Sequence, residues 1–243
     1  MNSIDQISTI KIDLSDEQIH VYLFQLDLFN YKDLIPCLSE DERIRAGKIK
    51  IEQKKNQFVI TRSLLRQLLS KWLVKGPGEI EFSFGQHCKP YINDKYNNKS
   101  IEFNVSHSGD YALIAITLEN TVGVDIEKIN PGIDYQSLSN RFFSNKERYE
   151  LISFDNNEKL DAFYRAWARK ESFIKATGKG IAFGLDLFSV SLDEDNNTET
   201  EVDSPDAENN KWYCYDLINL DDYKTALTVN RKGVDIVTTA LRG

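Results

Sequence analysis

At 243 residues, with 41% apolar and 28% charged side chains, the chain is long enough for one large domain or two small ones around a real hydrophobic core. Its three cysteines, Cys37, Cys88 and Cys214, are widely spaced with no Cys-x-x-Cys pair, which excludes a zinc or disulfide framework and fits reduced thiols in the cytoplasm. The net charge of −8 gathers in residues 193–208, which hold eight acids and no base, while residues 43–66 hold eight bases against Glu52 alone; such a run is either a solvated helix face or a site for a small polyanion, which it suits better than general nucleic-acid binding.

Residues 1–14 contain no sustained apolar stretch, so no signal peptide is expected. The most apolar run, residues 111–117, is too short for a bilayer, which takes about 20 residues, so no membrane span is expected either. Residues 19–26 mix apolar and β-favouring side chains and predict a strand. Ser39-Glu40-Asp41-Glu42 has the form of a capping box opening a helix. Phe58, Val59, Leu64, Leu65, Leu68, Leu69 and Trp72 recur at helical spacing, and Gly76-Pro77-Gly78 ends that helix. Residues 80–84 alternate as a strand, and Tyr91-Ile92 begins another. Residues 101–105 and 111–118 predict an antiparallel pair about the turn Ser106-His107-Ser108-Gly109-Asp110, and residues 121–127 a further strand ended by Asn130-Pro131-Gly132.

The second half repeats the mixture. Asn157 is the expected cap of a long helix over 158–177, with an apolar stripe at Leu160, Phe163, Trp167 and Ile174 and a stop at Gly178. Strands are expected at 187–192, 212–217, 224–229 and 234–240, and the acidic segment 193–208 reads as a mobile loop. A boundary at 119–121 divides the chain into α+β units 1–119 and 120–243.

Four groups of residues carry candidate chemistry. In Gly123-Val124-Asp125-Ile126-Glu127-Lys128, positions i and i+2 of a strand place Asp125 and Glu127 on one face. Such a pair is either a solvated strand face or a site for a hard cation such as Mg²⁺. Glu171 and Lys175, four apart on the long helix, form either a surface ion pair contributing ~0.2–0.5 kcal/mol or a carboxylate and an ammonium aimed at a phosphate. The turn Ser106-His107-Ser108 either offers hydroxyls, N–H groups and an imidazole to an anion or carries a structural or exposed histidine. The basic run 43–66, with Lys89-Pro90 downstream, offers guanidinium forks and lysine charges to several phosphates. Gly178-Lys179-Gly180 lacks the flanking glycine and Ser/Thr of a phosphate-binding P-loop.

Taken in order, Phe103-Asn104-Val105-Ser106-His107-Ser108, Gly123 to Lys128, Arg141-Phe142-Phe143-Ser144, Trp167-x-x-Lys170-Glu171-Ser172-Phe173-x-Lys175 and Gly178-Lys179-Gly180 resemble the Sfp-type 4′-phosphopantetheinyl transferases. The likeness runs over residues 39–190. It implies an α+β fold of two similar halves related by pseudo-twofold symmetry, with coenzyme A in the cleft between them and a cytoplasmic monomer as the working unit. It implies Mg²⁺ held by Asp125, Glu127 and Glu171, with Lys175 on the coenzyme A phosphates and Lys170 assisting. Ser106 and His107 match the pair that touches the nucleotide phosphates, Lys89 and Pro90 the pair beside the adenine, and Arg45 and Arg62 fit positions for the 3′-phosphate. The implied reaction joins phosphopantetheine to a serine of an apo acyl or peptidyl carrier protein and releases 3′,5′-ADP, with Glu171 as base, directly or through a water. Arg141-Phe142-Phe143 is the expected carrier-docking patch.

Overall fold

A computed structural model describes residues 7, 10, 17–73, 75–85, 89–95, 97–98, 100–180, 183–194, 200–204 and 211–242. Strand β1 (Gln18–Gln25) is followed by a single helical turn, α1 (Tyr31–Leu34), then α2 (Glu40–Lys48) and the long α3 (Glu52–Leu73). A small hairpin, β2 (Phe82–Phe84) and β3 (Pro90–Ile92), leads into β4 (Ile101–Ser108), β5 (Tyr111–Leu118) and β6 (Val122–Lys128). Helices α4 (Tyr135–Phe142), α5 (Asn145–Ser153) and α6 (Lys159–Thr177) come next, then β7 (Thr200–Glu201), β8 (Tyr213–Asp216), β9 (Tyr223–Val229) and β10 (Asp235–Leu241).

The strands form two four-stranded sheets, ordered β10-β1-β5-β4 and β6-β9-β8-β7, beside the β2-β3 hairpin. Every described pairing is antiparallel except that of β10 with β1. The last strand therefore lies in the sheet of the first half, although its sequence belongs to residues 120–243.

Alternation along each strand sorts side chains into layers. Val21 and Leu23 of β1, Leu113 and Ala115 of β5, and Val122, Val124 and Ile126 of β6 form a core between the sheets. The opposite face of the first sheet, with Tyr22, Phe24, Ile114 and Phe103, packs on Leu64, Leu65 and Leu68 of α3. The outer face of the second sheet meets Phe163, Ala166, Phe173 and Ile174 of α6. The order helix, sheet, sheet, helix leaves β4 and β6 as outer strands that meet where the halves join.

Several sequence expectations change in detail. Helix α2 has the capping box, with Ser39 and Glu42 bonded reciprocally. Helix α6 begins at Lys159 with Glu158 at its cap and no side-chain cap bond, so Asn157 does not cap it; Gly178 ends it in the left-handed conformation (φ 66°). The polar turn shortens to Gly109-Asp110, because β4 and β5 pair as far as Ser108 and Tyr111. The strand expected over 187–192 is absent: Leu185–Leu187 forms a 3-10 turn, and only Ser189 bridges, to Asp203. Within the acidic segment Thr200–Glu201 pairs with β8, while residues 195–199 and 205–208 lie outside the described residues, as does Cys88. Cys37 and Cys214 are free thiols. Among the described residues no helix is long and apolar enough to cross a membrane.

Candidate active site

Gly123 sets the geometry. The even residues of β6 face the inter-sheet core, so the odd ones, Gly123, Asp125 and Glu127, face α6. A Cβ at Gly123 would lie 2.1 Å from the Ser172 carbonyl oxygen and 2.3 Å from the Ala176 nitrogen. The missing side chain lets α6 rest directly on the strand, bringing Glu171 and Lys175 over the carboxylates.

Asp125 is buried, at 2% exposure. Its Oδ1 accepts from Lys175 Nζ at 2.5 Å and from Ser106 Oγ at 2.8 Å, while Lys175 Nζ also lies 2.8 Å from Ser106 Oγ. Its Oδ2 is buried with no hydrogen-bond partner among the described residues. Lys175 thus pairs across the strand with Asp125, and among the described residues Glu171 has no hydrogen-bond partner. Glu127 is half-buried and accepts from Ser108 Oγ at 3.3 Å.

Three carboxylates so close resist ionisation together. Burial raises the pKa of Asp125 against the opposing pull of Lys175. Burial, then the neighbouring Asp125, pushes Glu127 up to about 7. Burial and Asp125 also raise Glu171. As the side chains stand, no three His, Cys, Asp or Glu groups among the described residues enclose a metal. The donor set is nonetheless that of a hard divalent cation: oxygens only, one buried and unpartnered, in mutual repulsion that added positive charge would relieve.

A second feature adjoins this cluster. Arg45, Phe58, Thr61, Arg62, Leu65, Pro90, Asn104, Val105 and His107 line a cavity of about 230 Å³. Arg45 lies over the Phe58 ring and Arg62 over Phe82, at 5.1 and 5.2 Å from the ring centres. Arg62 is also 3.4 Å from Glu42, and its Nη1 is buried without a hydrogen-bond partner among the described residues. Strand β4 joins cavity and cluster: His107 and Ser106 are consecutive and point to opposite faces, one to the arginines and the other to Asp125. Desolvation in the cleft, then the Lys175 charge, holds the His107 pKa below the usual imidazole value.

The expected residues therefore divide. Asp125, Glu127, Glu171, Lys175 and Ser106 come together, and Arg45, Arg62, Pro90 and His107 form the adjoining cavity. Lys89 bridges the halves instead, donating to the carbonyls of Val122 at 3.2 Å and Ala176 at 3.1 Å. Lys170 points away from the cluster and is corrected to a structural role. Its ammonium is fully buried and donates to both oxygens of Glu147 (2.6 and 2.7 Å) and to the Phe188 carbonyl (2.8 Å), filling all three donor positions. Arg66 of the basic run is likewise internal, bonded to Glu42 and to the carbonyls of Pro77 and Ile80. Phe143 is core, stacked on Phe163, so only exposed Arg141 and half-buried Phe142 remain from the docking patch. Roles that the sequence did not assign are those of Asn104 and Ser108, which bond the β6 backbone, and of Gly123 as the point of helix approach. Their signal was the alternation Asn104, Ser106, Ser108, legible once the strand is extended to Ser108.

Comparison with known proteins agrees in both halves. Residues 121–228 match the 4′-phosphopantetheinyl transferase superfamily, and residues 28–119 match the family described as 4′-phosphopantetheinyl transferase, N-terminal. The chain is similar to the 4′-phosphopantetheinyl transferase HetI of Nostoc sp., 37% identical over 172 residues that cover 70% of this chain and 72% of that one. It is 34% identical over 170 residues to the 4′-phosphopantetheinyl transferase Sfp of Bacillus subtilis, covering 70% and 72%. Similarity to the L-aminoadipate-semialdehyde dehydrogenase-phosphopantetheinyl transferase of Homo sapiens is 31% over 211 residues, covering 82% and 68%.

Proposed function

The chain belongs to the Sfp-type 4′-phosphopantetheinyl transferase family and is an enzyme of that activity, and we propose that it moves the phosphopantetheine arm of coenzyme A onto a serine of an apo acyl or peptidyl carrier protein in a Mg²⁺-dependent reaction. The observation that carries this reading is one strand, β4, joining an arginine-lined cavity to a buried carboxylate whose Oδ2 has no partner among the described residues. Coenzyme A has phosphates for both: a 3′-phosphate on its nucleotide and a pyrophosphate in its chain.

Asp125, Glu127 and Glu171 would hold the cation, with carboxylate oxygens of the kind Mg²⁺ prefers. A divalent cation there supplies charge neutralisation across the pyrophosphate. Arg45 and Arg62 bind the 3′-phosphate at the cavity, where guanidinium donors suit phosphate oxygens. Pro90 packs beside the adenine, and His107 donates to phosphate at the rim. Lys175, now resting on Asp125 and Ser106, moves its ammonium onto the pyrophosphate oxygens when substrate enters.

The carrier serine attacks the β-phosphorus: a bond forms from its Oγ to phosphorus, and the bond to the 3′,5′-ADP oxygen breaks. A serine hydroxyl needs a base at neutral pH, and Glu171 takes the proton, directly or through a water. Its raised pKa, and its having no hydrogen-bond partner among the described residues, suit that role. Lys175 then stabilises charge on the departing phosphate. Arg141 and Phe142 offer the carrier a mixed basic and apolar patch. The free thiols Cys37 and Cys214 suit a reducing compartment, and we place the enzyme in the cytoplasm as a monomer.

Chromatographic detection of 3′,5′-ADP tests the reaction. Release is expected only with an apo carrier that retains its serine, and chelator abolishes it. Equal release with a carrier bearing alanine at that serine would show hydrolysis of coenzyme A and overturn the transfer reading.

A further inference from the structure

The outer edge of β6 is closed by side chains. An edge strand presents unpaired N–H groups, which ordinarily meet backbone carbonyls or water. Here the N–H groups of Val124, Ile126 and Lys128 donate to Asn104 Oδ1 at 3.0 Å, Ser106 Oγ at 3.4 Å and Ser108 Oγ at 3.1 Å. These acceptors alternate along β4 and so share one face of it.

Each serine makes a second bond. Ser106 Oγ donates to Asp125 Oδ1 at 2.8 Å, and Ser108 Oγ donates to Glu127 Oε2 at 3.3 Å. A hydroxyl has one hydrogen to give and two lone pairs to receive with. Each therefore accepts from a backbone N–H and directs its single hydrogen at the carboxylate one residue earlier. The unit occurs twice, with the same two-residue step on both strands.

The two carboxylates differ in what else holds them. Asp125 also has Lys175, whereas among the described residues Glu127 accepts no side-chain hydrogen bond except that of Ser108. We propose that Ser108 is a positioning residue: it ties β6 to β4 and aims Glu127 at the cation, as the outer rung of a strap whose inner rungs are Asn104 and Ser106. The inference rests on the cation reading above. It gives the polar alternation in β4 a purpose that nucleotide contact does not explain, because Asn104 Oδ1 and Ser108 Oγ accept from N–H groups of the second half of the molecule. Partners that orient metal-bound carboxylates commonly change metal affinity by about 10–100-fold when removed.

The test uses Mn²⁺ as the probe, titrated into the full chain with coenzyme A present and followed by the electron paramagnetic resonance signal of the free ion. Ser108→Ala is expected to weaken Mn²⁺ binding by about tenfold or more. Ser108→Thr, which keeps the hydroxyl on a residue well suited to a strand, is expected to restore it. Thermal unfolding of both variants separates this effect from loss of fold. Wild-type affinity in Ser108→Ala, with affinity lost in Asp125→Ala, overturns the inference while leaving the cation reading intact. Weakened binding that Ser108→Thr does not restore, and that follows a matching fall in stability, also overturns it. Equal binding by the wild type and Asp125→Ala overturns the cation reading and this inference with it.

Discussion

A Gly123→Ala chain adds one methyl at the tightest point between the halves of the site. That carbon would lie 2.1 Å from the Ser172 oxygen, 2.3 Å from the Ala176 nitrogen and 2.8 Å from the Ala176 Cα. All of these are backbone atoms, so no rotamer change relieves the overlap. Non-bonded carbon contacts settle near 3.5–4.0 Å, which requires α6 to retreat by about 1 Å or more. Lys175 travels with that helix, and its 2.5 Å contact with Asp125 does not survive such a shift. Overpacking of a core costs about 1–3 kcal/mol, and a 1 Å misplacement of reacting groups about 100-fold in rate. Urea denaturation and single-turnover transfer onto an apo carrier, read by intact mass, measure both. Wild-type stability together with a wild-type rate would refute the claim that close approach of α6 builds the site.

Three other substitutions examine separate parts. Lys170→Met leaves the Glu147 carboxylate buried without its cation, so stability in urea is expected to fall by about 3–5 kcal/mol while the KM for coenzyme A stays unchanged; a raised KM at full stability would return Lys170 to the substrate. Glu127, with its folded pKa near 7 against an ordinary value near 4.3, binds more protons folded than unfolded, so metal-free stability declines as pH rises from about 4 through 7. Glu127→Gln removes its share, and calorimetry between pH 5 and 8 is expected to show a decline smaller by about 2–3 kcal/mol; an undiminished decline would contradict the burial and crowding of that carboxylate. Arg62→Ala is expected to raise the KM for coenzyme A about 10–100-fold and that for 3′-dephospho-coenzyme A little, since charge-assisted bonds contribute about 1.5–3 kcal/mol; equal effects on both would place the 3′-phosphate elsewhere.

The strands of both sheet cores were legible because their alternation is clean: residues 111–118 and 121–127 correspond to β5 and β6 within a residue or so. Helices α4 and α5 went unread, although Asp134 caps the first and Ser144-x-x-Glu147 forms a capping box on the second. Their apolar faces are short, and the hydrophobic pattern outweighed the cap signals. The strand expected over 187–192 failed because its alternating apolar residues, Phe188, Val190 and Leu192, sink individually into the α6 core without a ladder partner over most of their length.

In the site, Asp125 and Glu127 followed from the period of a strand, and Glu171 and Lys175 from the period of a helix. Their meeting did not, because it depends on the contact at Gly123 between elements about 50 residues apart. Lys170 was expected on the phosphates, although its spacing was compatible with the interior. It falls at the Phe163, Trp167, Lys170, Ile174 interval of the buried stripe, about 100° round the helix from Glu171. The likeness to a family supplied the roles proposed, and the packing of α6 turns Lys175 toward Asp125 and Lys170 toward Glu147 and the Phe188 carbonyl.

The most direct measurement is the intact mass of an apo carrier protein incubated with this chain, coenzyme A and Mg²⁺, beside an Asp125→Ala chain and a chelated sample. A gain of one phosphopantetheine with the wild type, absent from both controls, is the predicted result. A gain that persists in Asp125→Ala or in chelator would contradict the account of the site, and no gain on any of several carrier types, with coenzyme A bound, would contradict the proposed reaction.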